Sequence, residues 1–318
     1  MHPRPCPAKH SVRRIRQARS RTPHVPCPPH HPFTLHLHPS PCTALSQPLH
    51  LIRPLTTRSF PDLAEVWRFR DLCIALGRRD VTLRYRQTLL GVIWVVLQPL
   101  IAGGLFTIVF GKVAKLPSEG RPYFLFAFAG FVAWSAFQST LGRASGSLVG
   151  QSNLITKVYF PRLVLPISAL FSSVVDFLVG LGSLAVLLVA YGATPGLPLL
   201  TLPFWILLLH AMGLGLGTLA AALSVRFRDL QHALPVLVQL LLYASPVAYA
   251  VSAVPERLRP FFFLNPMSGV LDGFRWAVLG TTPPSAMGVA FAVAGAIVAL
   301  IVGAVVFARF ERQLADVI

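Results

Sequence analysis

An all-α integral membrane protein with six spanning helices is the fold class this sequence predicts, and three observations carry it. Apolar residues make up 54% of the 318 positions, whereas Asp, Glu, Lys and Arg make up 12%, about half the share of an ordinary soluble domain. Mean hydropathy is +0.64. The apolar residues are gathered into charge-free runs of about 20, the length a helix needs to cross ~30 Å of hydrocarbon, joined by short polar or basic connections. Soluble-enzyme classes therefore start at a disadvantage.

Residues 1–60 differ from the rest. They hold nine Lys and Arg, no acid and eight of the ten His, with Pro throughout. Pro at this density opposes helices and sheets, so this is read as a disordered extension, or as a start assigned too far upstream. Cys27, His30, His31, His36 and His38 fall here, but without accepted zinc spacing. The transmembrane domain is assigned to 61–318. Of the four Cys (6, 27, 42 and 73), none lies on the predicted outer side, which argues against a disulfide framework.

Between Leu63 and Thr88, Val66, Phe69, Cys73 and Leu76 recur at helical spacing. Arg68, Arg70, Arg78, Arg79, Arg84 and Arg86 surround them. This pattern predicts an amphipathic helix lying in the membrane surface with that apolar face in lipid. The alternative is packing of the same face on protein.

The first span runs Leu89–Phe110, without charge. A short loop, Gly111–Arg121, with Lys112, Lys115, Glu119 and Arg121, follows, then span two at Pro122–Leu141. Gly142–Arg162 is polar. From Leu163 to Val225 the only formal charge is Asp176, and the stretch breaks at Gly192–Pro198 into spans three and four. Span five is Ala233–Val251, interrupted at Pro246. Pro255–Thr282 is cut into pieces too short to cross, which suits re-entrant or periplasmic helices. Span six is Ser285–Ala308. With the N-terminus inside, inner segments after residue 60 hold thirteen Lys and Arg and outer segments six. That bias predicts two cytoplasmic termini.

The sequence contains no Gly-x-x-x-x-Gly-Lys-[Ser/Thr] loop for nucleotide phosphates, and its body offers no paired carboxylates, Ser-His-Asp set or metal cluster. No catalytic residue and no cofactor is assigned to the chain, and energy for any work has to enter through a partner. His210 stands alone in an apolar span and reads as structural. A carboxylate at Asp176 is costly in hydrocarbon and normally faces the bundle interior, a cavity or a partner. Its readings are structural, proton-coupling or, near mid-span, simply protonated.

The wording is more specific than the composition. Arg84-Tyr85-Arg86-Gln87-Thr88 with Leu90-Gly91, Trp94 and Gln98-Pro99 opens the pattern. Leu154–Arg162, Val225-Arg226-Phe227-Arg228-Asp229, Ala244-Ser245-Pro246-Val247, Leu264-Asn265-Pro266-Met267, Gly273-Phe274-Arg275-Trp276 and Ala315–Ile318 continue it in order. Together these resemble the permease subunit of ABC-2 type exporters of lipid-linked polysaccharide (O-antigen, capsule, teichoic acid), over about Leu63 to Ile318. The resemblance implies a homodimer with two separate ATPase subunits, which bind ATP and Mg, and a lipid-linked glycan as cargo. It places the coupling segment at Gln151–Arg162. Asn153, Leu154, Lys157, Tyr159, Phe160 and Arg162, with Arg226 and Arg228, are the candidate ATPase contacts. Trp67, Arg78, Arg79, Arg84 and Arg86 mark the interface helix. Tyr123, Trp134, Tyr243, Tyr249, Asn265 and Arg275 are the channel or gate candidates. The alternatives are an exporter of a drug or small lipid and an integral-membrane transferase acting on lipid-linked sugars.

Overall fold

The computed structural model describes residues 63–86, 91–155, 157–253, 255, 257 and 262–317. The extension 1–60, with its Cys and His residues, lies outside the described residues, as do Gln87–Leu90. In chain order the helices are α1 (Leu63–Arg68), α2 (Arg70–Arg86), α3 (Gly91–Phe106), α4 (Tyr123–Gly150), α5 (Ser152–Ile155), α6 (Val164–Ala190), α7 (Leu202–Arg226), α8 (Leu230–Ala244), α9 (Pro266–Leu279) and α10 (Ala286–Val317). Helix α3 runs on through a π-helical stretch, Thr107–Val113, and a 3₁₀ turn at Leu197–Thr201 leads into α7. Among the described residues, five helical segments are long and apolar enough to cross a membrane: Ile93–Val113, Tyr123–Gly150, Val164–Ala190, Leu197–Arg226 and Ala286–Phe310.

Helix α4 is the axis of the bundle. Its Phe126, Phe128, Ala133, Phe137 and Leu141 are buried, because α3, α6, α7 and α9 all pack on it. The α7 contacts are close because small residues line them. A Cβ on Gly217 would come within 2.6 Å of the Ala144 Cβ, and one on Gly215 within 2.4 Å of the Ala299 carbonyl carbon of α10. Without a strong hydrophobic drive between helices in lipid, such close backbone approach supplies the dispersion contact that holds spans together.

The predicted fifth span is shorter than expected. Helix α8 has 15 residues and ends at Ala244, with Ser245 as its cap before Pro246. At ~1.5 Å per residue that is roughly 22 Å, short of the ~30 Å layer. The interrupted stretch before the last span yields α9, 14 residues long, capped by the Asn265 side chain and closed by Gly280 in the left-handed region at φ 62°. It lies in the core, with Met267, Val270, Leu271 and Phe274 buried, not at the bundle's lipid-facing rim.

The amphipathic N-terminal helix requires a correction. The face formed by Val66, Phe69, Cys73 and Leu76 does not point into lipid. Cys73 and Leu76 are buried against Val164 and Leu165 of α6, with Val66 and Phe69 packed beside them. Gly77 lets Phe171 approach so closely that an added Cβ would sit 2.8 Å from it. The side turned outward carries Trp67, Ile74 and Leu83, each at least half exposed, interleaved with exposed Arg78, Arg79 and Arg86. A shallow groove of about 550 Å³ runs along it between Asp71 and Leu83.

Candidate functional site

Packing α2 along α6 brings the last turn of α2 against the middle of α6, where Asp176 sits. The Tyr85 hydroxyl donates to Asp176 Oδ1 at 2.5 Å. Arg84 approaches Asp176 Oδ2 at 3.2 Å, and Arg143 of α4 donates to the same oxygen. Ser139, one turn back on α4, accepts from Arg143 Nε at 3.0 Å and orients its guanidinium. Asp176 is only 8% exposed, and two cations and a phenol converge on it. These contacts give Asp176 the partners that its structural reading calls for. Burial, together with donation to Asp176, raises the Tyr85 pKa well above the usual tyrosine range, so Tyr85 stays a neutral donor at every physiological pH.

Arg84, Ser139, Arg143 and Asp176 of this cluster line one side of a partly open cleft of about 550 Å³ between α3, α4, α6 and α8. Trp94, Gln98 and Pro99 of α3 face it, with Phe131, Trp134, Ser135, Gln138 and Ser139 of α4, Phe177 of α6 and Gln239 and Leu242 of α8. Trp134 Nε1 donates to Gln138 at 3.0 Å. Amide side chains interleaved with aromatic faces give a lining that can hydrogen-bond and stack at once.

Of the six channel candidates, Trp134 lines this cleft, and Tyr243 stands beside it, 60% exposed and bonded from Gln239 at 3.3 Å. The other four gather elsewhere, around the turn that follows α8. Arg275 is 1% exposed. It donates to the carbonyls of Pro246 (2.6 Å), Val247 and Phe126 (3.3 Å) and lies 3.9 Å over the Phe126 ring. The Tyr123 hydroxyl donates to the Ala248 carbonyl. Asn265 Nδ2 donates to Ser245 Oγ at 2.9 Å while its Oδ1 caps α9 through the Met267 amide at 3.1 Å. Tyr249 offers its carbonyl to Arg275 at 3.4 Å and its ring edge to Phe262. Arg275, Tyr123 and Asn265 thus pin residues 245–250 to α4 and α9 and are absent from the cleft lining, because backbone carbonyls left by the broken helix claim them. His210 has its Nδ1 2.9 Å from the Ile206 carbonyl, while its buried Nε2 has no hydrogen-bond partner among the described residues.

The coupling-segment candidates lie at the opposite end of α4. Phe160 is 5% exposed and packs with Leu148, Leu163, Val164 and Phe307. Its neighbours Val158 and Tyr159 are 54% and 65% exposed. Lys157 is exposed, Leu154 and Arg162 are half-buried, and the Asn153 side chain lies outside the described residues. Val225 and Leu154 pack on the same apolar cluster, which brings the Arg226–Asp229 turn to this end. There Arg226 lies 5.6 Å from the exposed Phe227 ring, and Arg228 is exposed. The sequence singled out Asp176, Arg84 and Trp134 separately. Tyr85 and Gln98 entered only as words of the opening motif, with no site role, and Arg143 and Gln138 were given no role, their only signal being polarity inside or beside apolar runs.

A family model described as ABC-2 type transporter matches residues 71–279. An O-antigen export system permease protein RfbA from Myxococcus xanthus is 32% identical over 213 residues, 66% of this chain and 81% of its own length. A protein of the same description from Klebsiella pneumoniae is 27% identical over 210 residues, 64% and 79% of the two chains. The polysialic acid transport protein KpsM of Escherichia coli is 23% identical over 216 residues, 64% and 80% of the two.

Proposed function

The chain belongs to the ABC-2 type transporter family, and from that premise we propose that it is the channel-forming permease subunit of an ATP-driven exporter of lipid-linked polysaccharide. The observation that carries this reading is the similarity to permeases named for O-antigen and polysialic acid, over about four fifths of their length. The amide-and-aromatic lining of the cleft supports it, since sugar hydroxyls take the amides and sugar C–H faces stack on indoles.

The chain works with a separate ATPase subunit that binds ATP and Mg, because its own sequence lacks a phosphate-cradling loop. The exposed Val158, Tyr159, Phe227 and Arg228 at one end of the bundle support that docking. Two copies form the channel: α3 and α8, which flank the cleft, turn Leu97, Ile101 and Leu240 outward. The protein sits in the cytoplasmic membrane with both termini inside, an arrangement supported by the charge bias of its loops. Residues 1–60 are dispensable.

Deletion of the gene tests the export reading. Lipid-linked glycan should accumulate on the cytoplasmic side while surface glycan disappears. Unchanged surface glycan, with a drug or small lipid retained instead, moves the cargo to the alternative class.

A further inference from the structure

Helix α2 marks where the hydrocarbon layer begins. It runs parallel to the first half of α6: Cys73 meets Val164, Gly77 meets Phe171, and Tyr85 and Arg84 meet Asp176. Its outward side carries exposed Arg78, Arg79 and Arg86, and exposed guanidiniums belong at the polar boundary, not among acyl chains. The apolar layer therefore starts about level with Asp176. Ala190 ends α6 fourteen residues past Asp176, roughly 21 Å at ~1.5 Å per residue. A layer ~30 Å thick reaches beyond that point.

The turn that joins α6 to α7 is made for such a place. No Asp, Glu, Lys or Arg occurs between Asp176 and Arg226. Backbone amides are groups that lipid cannot satisfy, and most of those from Tyr191 to Pro203 are absent or already spent. Pro195, Pro198 and Pro203 have none. The amides of Tyr191, Gly192 and Ala193 donate back to carbonyls of α6, and Leu199 donates to the Gly196 carbonyl at 3.1 Å. Leu202 donates to Leu199. The Thr201 hydroxyl donates to the Pro198 carbonyl at 2.7 Å and accepts from Trp205 Nε1 at 3.2 Å. Trp205 is itself buried against Gly273 of α9, where an added Cβ would come within 2.3 Å of the indole, so the depth of the turn is fixed by the bundle. The side chains turned outward are apolar: Leu197 is 86% and Leu200 82% exposed. They continue the exposed face of Val186 and Val189 on α6 and of Phe204 and Leu207 on α7. One charge-free apolar surface thus runs from the two spans over the turn between them.

We propose that the α6–α7 turn is embedded in the leaflet opposite the Arg226 end of α7, with Leu197 and Leu200 among phospholipid acyl chains as a membrane anchor. Neither cargo nor ATPase enters this assignment; only the naming of that leaflet as the outer one rests on the charge bias of the loops.

The test uses the full chain with Cys6, Cys27, Cys42 and Cys73 replaced by Ala, labelled with bimane at a single introduced cysteine and placed in phosphatidylcholine nanodiscs. Bimane on Leu197→Cys should lose about threefold more fluorescence to a lipid nitroxide placed high on the acyl chain than to aqueous iodide. On Val158→Cys, exposed in the connection between α4 and α6, that ratio should reverse. Iodide quenching at Leu197 as strong as at Val158 puts the turn in water and overturns the anchor. Shielding from both quenchers means that protein covers the turn, a second copy of the chain included, and overturns it equally. Leu200→Cys repeats the measurement one helical turn on, so a poorly folded first variant does not end the test.

Discussion

Two buried-arginine regions of this bundle invite comparison. Arg275 is enclosed: carbonyl oxygens and one aromatic face take its guanidinium, and no carboxylate pairs with it among the described residues. Arg143, 22% exposed by its side chain, shares a carboxylate with Arg84 beside an open cleft. Both place a cation inside an apolar assembly, yet the first is spent on backbone and the second remains within reach of a ligand. An arginine whose donors all end on main-chain oxygen fixes geometry. One that balances a shared acid at a cavity wall can exchange partners. The lesson is that burial alone does not mark a functional cation; the kind of acceptor does.

Removing Arg275 should produce the largest effect. Arg275→Met strands the carbonyls of Phe126, Pro246 and Val247, and charged hydrogen bonds are worth about 1.5–3 kcal/mol each, so the loss should be at least about 3 kcal/mol. Arg275→Lys should rescue little, since one ammonium lacks the planar fork that spans three carbonyls. Thermal unfolding followed by size-exclusion fluorescence reads the outcome. A stable, monodisperse Arg275→Met variant breaks the distinction between the two arginines.

Phe160→Ala comes next. This ring is 5% exposed in the apolar cluster joining α2, α6, α7 and α10, and truncating a buried Phe costs about 3 kcal/mol through lost transfer energy and the cavity left behind. The same thermal measurement applies, and lost ATPase recruitment in this variant would report unfolding, not docking.

Asp176→Asn should cost less, about 1–2 kcal/mol, because the partly exposed guanidiniums it releases can be hydrated in the cleft. Combining it with Arg143→Gln should recover part of the loss, and the double-mutant cycle measures the coupling directly. A loss as large as that of Arg275→Met would mean that the cleft cluster is a staple too, and the contrast would collapse.

These differences explain what could be read in advance. Charge-free runs announce spans, since nothing else tolerates them, and the order of short motifs carried the family. Hydropathy, however, is blind to what covers a helix. Both Ile93–Val113 and Tyr123–Gly150 read as spans, yet protein buries 11% of the most apolar stretch of the first and 78% of that of the second. The same blindness misplaced the face of α2: Cys73 and Leu76 have one period whether lipid or Phe171 lies opposite. Partners distant in sequence were equally hidden. Asp176 meets Arg143 across 33 residues and Tyr85 across 91, and Arg275 reaches Phe126 across 149. Lone polar residues could be flagged along the chain, but only the packing of α2 on α6 makes them a cluster.

The smallest effect on stability, and the most selective on function, is expected at Tyr159. It neighbours Phe160 yet is 65% exposed, so the closed-versus-open contrast recurs between adjacent residues of one loop. Tyr159→Ala should change stability by no more than about 0.5 kcal/mol, as surface substitutions do. If the loop is the foothold of the ATPase subunit, an aromatic anchor there is worth about 2 kcal/mol of binding. That corresponds to roughly a 30-fold loss of affinity at ~1.4 kcal/mol per tenfold. Co-purification of the ATPase should then fall and surface glycan with it, while the helices stay folded. Tyr191→Ala is the matched control: Tyr191 is 48% exposed at the other end of α6, so it removes a comparable ring from the opposite face of the bundle and should leave recruitment intact. If Tyr159→Ala keeps its ATPase at wild-type yield, Gln151–Arg162 is only a connection between α4 and α6. The docking surface then moves to Phe227 and Arg228, or to the outward face of α2 with Trp67, Arg78 and Arg79, and the same pull-down on those variants decides between the two.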